Sequence, residues 1–232
     1  MPETSFWNEL DQRIAKYDLL CHPFYRAWTA GELTRQDLRD YARDYYHHVV
    51  AFPEYLGALA ARLPEGELRL AVLENRADEM GMDTAGGRPH DAIWLEFARA
   101  MGAEPAEVAA SHPLAEVCEL IENFKIVASE GRPAEALAAF YAYESQVPRV
   151  AAEKASGLRA RYGATEAGCE YFTLHSTADV YHSRVWRDQL NRLIAENPEQ
   201  TGHALDAGEN AAHALWRALD GIEARRQATI AS

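Results

Sequence analysis

The sequence predicts an all-α fold, a helical bundle of seven or eight helices that forms one domain over residues 1–232. Apolar residues recur at spacings of three and four along most of the chain, which is the period of a helix with one buried face. Alternating β-branched runs bounded by tight turns, the pattern of strands, are absent. No repeat or interdomain linker divides the 232 residues, and their 48% hydrophobic content suffices for one sizeable core.

The first half of the chain holds three predicted helices and a short helical segment. Periodicity and breakers place the helices at residues 6–20, 34–62 and 65–80, and the segment at 22–28. Thr34 and Asp37 resemble a capping box at the start of the long helix. Pro53 lies inside that helix, where its missing N–H is expected to produce a kink. Residues 81–89 contain three glycines and a proline, so they are predicted as a loop.

The second half holds five predicted helices, which begin at residues 90, 114, 133, 168 and 203. Pro133 suits the first turn of its helix, while Pro148 is expected to kink the same helix further along. The helix that begins near residue 168 continues to about Glu196, where Asn197 and Pro198 end it. A connector is predicted around residues 102–105, and His112 and Pro113 are predicted to lead into the helix at residue 114.

Charge and cysteine content exclude several classes of protein. The net charge of −13 repels phosphate backbones and anionic lipid, so we expect no nucleic-acid and no membrane partner. The N-terminal segment MPETSFWNEL lacks the basic and apolar regions of a secretory signal. Cys21, Cys118 and Cys169 form no C-x-x-C pair and are predicted to be small buried hydrophobes. These observations favour a soluble, cytoplasmic protein.

A polar trio interrupts an apolar stripe between Tyr171 and Arg187. His175, Asp179 and His182 are spaced H-x3-D-x2-H, which places them on one face of a helix. Imidazole nitrogens and a carboxylate on one face suit a divalent transition metal of the zinc, iron or manganese kind. The alternative is a partly buried polar cluster in which His175 and Asp179 form an ordinary i,i+4 pair.

Glu144 is a second polar residue in an apolar stripe. The stripe has helical spacing and consists of Leu137, Phe140, Tyr141, Glu144 and Val147. A buried carboxylate is costly unless it is paired or bound to a cation. Glu144 is therefore a candidate metal ligand, and the alternative is a salt bridge to Arg149.

The helical pattern does not single out Glu79 or His90. Asn75 and Arg76 lie one turn before Glu79, so the pattern alone favours a solvated carboxylate. His90 stands at a predicted helix start, where an exposed or capping histidine is at least as common as a ligand.

Four blocks of the sequence resemble a known family. The blocks are HPFYRAWTAGELTRQDLRDYARDYY, ENRADEMG…RPHDAIW, YAYESQVPRVAAEK and YFTLHSTADVYHSR. They look like the CADD proteins (Chlamydia protein associating with death domains), over residues from about Trp7 to Arg184. That family belongs to the haem-oxygenase-like superfamily, together with pyrroloquinoline-quinone synthase C and the TenA proteins. The resemblance thus implies a haem-oxygenase-like helical bundle with a dinuclear metal site.

The resemblance also implies a ligand set for two divalent metal ions, Fe/Fe, Fe/Mn or Mn/Mn. Carried over by position, the ligands are Glu79, His90, Glu144, His175, Asp179 and His182. Three carboxylates and three histidines are a mixture of ligands that iron and manganese both accept. The loop between Glu79 and His90 is longer and richer in glycine than the family usually shows.

The activity that the resemblance implies is an O2-dependent synthesis of p-aminobenzoate for folate, with an external reductant. Its carbon skeleton comes from a tyrosine side chain of the protein, and Tyr25 is the leading candidate for the consumed residue. Tyr41 and Tyr143 also match, and Lys154 matches the lysine implicated as amine donor. Because Lys154 follows Glu144 by ten residues, the two would not share a face of a continuous helix unless the Pro148 kink intervenes.

Two other functions remain open at this point. The same six ligands could serve a diiron oxidase or oxygenase that acts on a separate small substrate. A non-catalytic interaction module, such as a death-domain partner, would need no buried acid and histidine ligands. The metal content of the purified protein separates these classes. A homodimer is the assembly that the resemblance implies.

Overall fold

The computed structural model describes residues 3–82 and 87–230, which are helical throughout apart from short connectors. No strand occurs in this part of the chain, which confirms the all-α prediction. The α-helices, numbered α1 to α11, are Glu3–Ala15, Pro23–Ala30, Arg35–Arg62, Glu67–Glu79, His90–Ala100, Pro105–Ala110, Ala115–Ser129, Pro133–Glu144, Val147–Arg161, Glu166–Glu196 and Thr201–Ile230. Two 3-10 helices span Leu19–Cys21 and Pro198–Gln200.

The eleven helices in the described residues exceed the seven or eight predicted, for three reasons. The short segment predicted at residues 22–28 forms a helix of its own, α2. Helix α6 forms over Pro105–Ala110, where no helix was predicted. The helix predicted to bend at Pro148 is divided, because α8 ends at Glu144 and α9 begins at Val147. A proline in a helix interior clashes with the carbonyl four residues earlier, but it is tolerated in the first turn, where Pro148 now lies.

The long helix α3 begins as the sequence predicts. Thr34 Oγ1 accepts a hydrogen bond from the Asp37 N–H at 3.1 Å, and Asp37 Oδ2 accepts one from the Thr34 N–H at 2.7 Å. This reciprocal pair is a capping box. The helix then continues without a break through Pro53 to Arg62. Of the predicted loop at 81–89, residues 83–86 lie outside the described part, and the rest is non-helical.

Helix α8 is the centre of the bundle. Every residue from Ala136 to Glu144 is buried, so this helix has no polar face. Helices α10 and α11 pack against it, and α10 also contacts α9 and α5. Helix α3 packs against α4, α5 and α7 on the remaining side. The C-terminal end of α8 therefore lies inside the protein, which brings Glu144 into the core.

Two properties of the surface bear on the predictions from composition. Cys169 is buried as predicted, but Cys21 and Cys118 are exposed, so for these two the prediction of buried hydrophobes is wrong. Both lie at helix surfaces that no other element covers. Within residues 3–82 and 87–230, no helix is long and apolar enough to cross a lipid bilayer.

Candidate metal centre

Four helices bring the six predicted ligands into the core. Glu79 is the last residue of α4, His90 the first of α5 and Glu144 the last of α8. The long helix α10 carries His175, Asp179 and His182 on one face, as the H-x3-D-x2-H spacing predicts. All six side chains are at most 6% exposed, and they form two groups of three.

The first group consists of Glu79, His90 and His175. One potential ligand atom from each residue lies within 4.8 Å of the other two. His90 Nδ1 is 2.8 Å from Glu79 Oε2, and His175 Nε2 is 3.9 Å from Glu79 Oε1. The group therefore offers one carboxylate and two imidazoles that converge on a common point, which suits a divalent ion.

The second group consists of Glu144, Asp179 and His182, and its potential ligand atoms also lie within 4.8 Å of one another. His182 Nδ1 is 3.5 Å from Asp179 Oδ1. This group contains two carboxylates and one imidazole, so the two groups together supply the mixed oxygen and nitrogen ligands that iron and manganese accept.

The histidine hydrogen bonds test whether these groups fit metal ions. His175 Nδ1–H donates to the Tyr171 carbonyl at 2.7 Å, which leaves Nε2 free to face Glu79. His182 Nε2–H donates to Asp78 Oδ2 at 2.9 Å, and Nδ1 is buried without a hydrogen-bond partner in the described part of the chain. Histidines that bind metals commonly donate their second N–H in this way. The residues therefore fit two divalent ions.

Among the described residues, neither of the two specific pairs named as alternatives to metal binding is formed. His175 uses the Tyr171 carbonyl rather than pairing with Asp179. Arg149 donates to Asp18 at 2.8 and 3.0 Å instead of forming a salt bridge with Glu144.

Glu144 is held by two neighbours that the sequence analysis did not identify. Asn75 Nδ2 donates to Glu144 Oε1 at 3.0 Å, and the indole N–H of Trp186 donates to Oε2. Burial raises the pKa of Glu144 to about 8, although the positive charge of His182 opposes this shift. At neutral pH without metal, Glu144 therefore holds a proton that a divalent ion would displace.

The interpretation that the helical pattern favours for Glu79 is wrong. Glu79 is 6% exposed, and Asn75, one turn earlier on the same helix, is 3% exposed. A polar pair at i,i+4 can mark a buried face as well as a solvated one. Here Glu79 belongs to the first ligand group, and Asn75 donates to Glu144 of the second. Asn75 shares a helix face with Glu79, but its contact with Glu144 and the contact of Asp78 with His182 depend on tertiary packing.

A buried pocket holds the candidate reactive residues. Lys154 is 7% exposed, and its Nζ donates to Tyr25 OH at 2.7 Å and to Tyr41 OH at 2.6 Å. The two hydroxyls are 3.2 Å apart. Lys154 lies on α9, which follows the turn at Ser145 and Gln146. Burial lowers the pKa of Lys154 well below its usual value, which favours the neutral amine.

Tyr143 is not one of the two tyrosines that Lys154 contacts. It lies at the end of α8, beside Glu144. Its ring packs edge-on against His48 and Phe52, with centroid distances of 5.2 and 5.3 Å. The structure therefore brings Tyr25, Tyr41 and Lys154 together and places Tyr143 next to the metal groups.

Aromatic side chains connect the first metal group to the lysine pocket. Tyr171 stacks on His175 with ring centroids 4.1 Å apart, and Trp94 contacts Tyr171 at 4.8 Å. Trp94 in turn lies 5.7 Å from Tyr41. The sequence pattern identifies Trp94 and Tyr171 only as core residues. Their continuous contact places oxidisable rings between the two sites.

Replacing Asp78 by alanine is expected to weaken metal binding by about 10- to 100-fold, the usual effect of removing the partner of a metal-bound histidine. Without the carboxylate, the His182 ring loses the hydrogen bond that fixes its tautomer and its orientation. Titration of the metal-free protein with Mn2+ would measure the affinity. Asp91→Ala, an acid on α5, is the control, and equal affinities for Asp78→Ala and the wild type would contradict the prediction.

Replacing Lys154 by methionine is expected to stabilise the protein at pH 7 and raise its Tm. At pH values between the lowered pKa of Lys154 in the folded protein and its usual value of 10.5, the Lys154 amine holds a proton in the unfolded chain but not in the folded protein. Wild-type stability therefore rises with pH through this window, and the variant loses that dependence. Denaturant unfolding at pH 7, 8 and 9 would measure the free energy of unfolding of both proteins. The advantage of the variant over the wild type should shrink as the pH rises, and a variant less stable than the wild type at pH 7 would contradict the prediction.

Comparisons with known proteins agree with this geometry. A sequence model of a family described as iron-containing redox enzymes matches residues 39–216. A 4-aminobenzoate synthase from Nitrosomonas europaea is 37% identical, over 96% of this chain and 92% of its own length. One from Chlamydia pneumoniae is 35% identical, over 93% and 94%. A Shewanella denitrificans structure of unknown function with a haem-oxygenase-like fold aligns with a TM-score of 0.78, 18% identity, and coverage of 98% and 94%. The predicted haem-oxygenase-like fold is confirmed.

Proposed function

The chain belongs to the family of iron-containing redox enzymes, and from this premise we propose that it is a 4-aminobenzoate synthase that consumes one of its own tyrosine side chains. The 4-aminobenzoate synthases from Nitrosomonas europaea and Chlamydia pneumoniae match nearly the whole chain at 35–37% identity. As a member of this family the protein is a metal-dependent oxidoreductase.

The contact between Lys154 and the two tyrosine hydroxyls is the observation that carries the proposal. 4-Aminobenzoate needs an aromatic ring, one carbon attached to it and one nitrogen opposite that carbon. A tyrosine side chain contains the ring and the carbon, and the hydroxyl of Tyr25 marks the ring position where the nitrogen must enter. The Lys154 amine lies 2.7 Å from that hydroxyl, and its burial favours the neutral form, whose lone pair can attack the ring.

Other residues of the protein would hold the metal ions and exclude water from the pocket. Glu79, His90 and His175 would hold one ion, and Glu144, Asp179 and His182 the other. When two reduced ions are bound, as Fe/Fe, Fe/Mn or Mn/Mn, they supply the electrons that activate O2, and an external reductant restores them. The aromatic wall around Lys154, which includes Trp28 and Phe172, keeps water from the amine and the phenols.

Isotope labelling tests the proposal. Protein produced with ring-labelled tyrosine, loaded with iron and manganese, and exposed to O2 and a reductant should release labelled 4-aminobenzoate. Its intact mass should fall by the mass of the lost side-chain atoms. Because the consumed residue is not replaced, product should not exceed about one molecule per chain.

The same experiment separates the alternatives. Unlabelled product from a chain of unchanged mass would support an oxidase that acts on a separate small molecule. Absence of bound metal would contradict the dinuclear site itself. The cytoplasmic location, the homodimer and a death-domain partner stay predictions from the sequence and its resemblance.

A further inference from the structure

A cavity of about 830 Å3 opens beside the metal centre, between α4, α5 and α10. His90, a member of the first ligand group, forms part of its wall. Asp78 forms another part, and its carboxylate binds His182 of the second group. The cavity therefore connects solvent to both groups, whose six side chains are otherwise almost completely buried.

Acids outnumber bases among the charged side chains of the cavity wall. Apart from His90, these side chains are Asp78, Arg88, Glu166 and Glu170. Arg88 is 3.0 Å from Glu170 and 3.8 Å from Glu96, and Arg159 of α9 donates to Glu166 at 2.8 Å and to Thr173 at 3.0 Å. Thr173 and Thr177 add hydroxyl oxygens to the wall. Oxygen-rich, negatively charged walls raise the local concentration of cations, and the chain as a whole carries a net charge of −13.

The inner end of the cavity contains groups suited to receive a cation. The Asp78 side chain is 33% exposed, and the His182 ring to which it is hydrogen-bonded is only 4% exposed. His90 is 5% exposed, and its Nδ1 lies 2.8 Å from Glu79 Oε2, the carboxylate of the same ligand group. A carboxylate in contact with solvent thus lies next to one buried ligand, and a second buried ligand, His90, forms part of the cavity wall.

We propose that this cavity is the route by which divalent metal ions reach the two ligand groups. The inference rests on the proposed dinuclear site, since it concerns how that site is filled. An ion attracted by Glu170 and Glu166 would exchange water for oxygens along the wall. Asp78 then provides the last carboxylate before His182 and His90.

A second cavity is the rival route. It has a volume of about 190 Å3 and reaches Glu79 from the side of α3. Its wall combines Val49, Val50, Pro53 and Met80 with the acids Glu54 and Asp91. The two cavities therefore differ in size, and a hydrated divalent ion is better accommodated by the one of about 830 Å3. We expect charges at the smaller cavity to have no effect on metal uptake.

Kinetics of metal uptake by charge variants test the route. Metal-free protein would be mixed anaerobically with Fe2+ and the unbound ion followed with a chromogenic chelator. We expect Glu170→Gln to slow uptake, and Arg88→Gln to accelerate it, by about two- to fivefold at low ionic strength, as removal of one charge near a solvated path should. Both effects should shrink at physiological ionic strength, where the Debye length is about 8 Å. Glu54→Gln is the matched control at the rival cavity.

A steric pair of variants provides a second measurement on the same helix. Thr177 lines the cavity and Val180 does not, although both are exposed residues of α10 near Asp179. Thr177→Trp should slow uptake more than Val180→Trp. For all variants the final metal content should equal that of the wild type.

The outcomes distinguish this inference from the proposed function. Unchanged uptake in the Glu170, Arg88 and Thr177 variants, or slower uptake only in Glu54→Gln, overturns the route and leaves the dinuclear site intact. Wild-type protein that takes up no metal overturns the proposed function first. A lower final metal content at an unchanged rate would mean that these residues support the fold rather than the route, and it also overturns the inference.

Discussion

The Glu144→Ala variant is expected to bind fewer than two metal ions per chain and to form no 4-aminobenzoate. Glu144 is one of three ligands in its group, and the Asn75 amide and the Trp186 indole hold it in place. Alanine would remove a ligand and leave both donors buried without an acceptor, at a cost of about 1–3 kcal/mol for each. Elemental analysis of the purified variant, together with product assays, would measure both effects.

Two further variants separate ligation from stability. Glu144→Gln retains the size of the side chain and an acceptor for Asn75, but it removes the charge that binds the ion, so it too should lose metal. Glu135→Ala changes an acid at the other end of α8 and should retain two ions. Full metal content in Glu144→Gln would contradict the assignment of Glu144 as a ligand.

The ligands that lie on a single helix face were predictable, because their arrangement depends only on spacing within that helix. His175, Asp179 and His182 share a face of α10 by the helical period alone. Glu144 was identifiable because a carboxylate in an apolar stripe needs a partner in the core. The all-α fold follows from the same periodicity.

Contacts between elements could not be derived in this way. Glu79 and His90 meet across a loop that contains residues outside the described part, and only the resemblance to a family placed them together. Asn75 looks like a surface residue by composition, yet it is buried against a helix 69 positions away. Which partner a polar residue finds depends on tertiary packing, and a helical pattern contains no information about it.

Pro148 shows how one local detail decides a distant contact. Its presence was evident, but whether it bends or breaks a helix depends on whether the residues around it can cap two ends. Ser145 and Gln146 provide the short break, and the new direction of α9 brings Lys154 to Tyr25 and Tyr41. From the sequence, the contact between Lys154 and the two tyrosines could therefore be predicted only on the condition that the helix kinks at Pro148.

Tyr25→Phe is expected to reduce 4-aminobenzoate to the background level while metal content stays at two ions per chain. The substitution removes only the hydroxyl that contacts Lys154 and Tyr41, and Tyr25 is not part of either ligand group. Phenylalanine has no ring oxygen, so the ring can neither be oxidised as a phenol nor lose oxygen in exchange for nitrogen. Product assays with labelled protein, after reduction and exposure to O2, would measure the loss.

Tyr55→Phe is the matched control for the loss of a buried tyrosine hydroxyl. Tyr55 is 3% exposed, and its hydroxyl has no hydrogen-bond partner among the described residues, so the variant should form product normally. Peptide mapping of reacted wild-type protein should locate the missing side chain at residue 25. A loss at residue 41 instead, with product retained in Tyr25→Phe, would transfer the role to Tyr41. The Lys154 amine lies as close to that hydroxyl, so the chemistry would stand and only the assignment of the consumed ring would change.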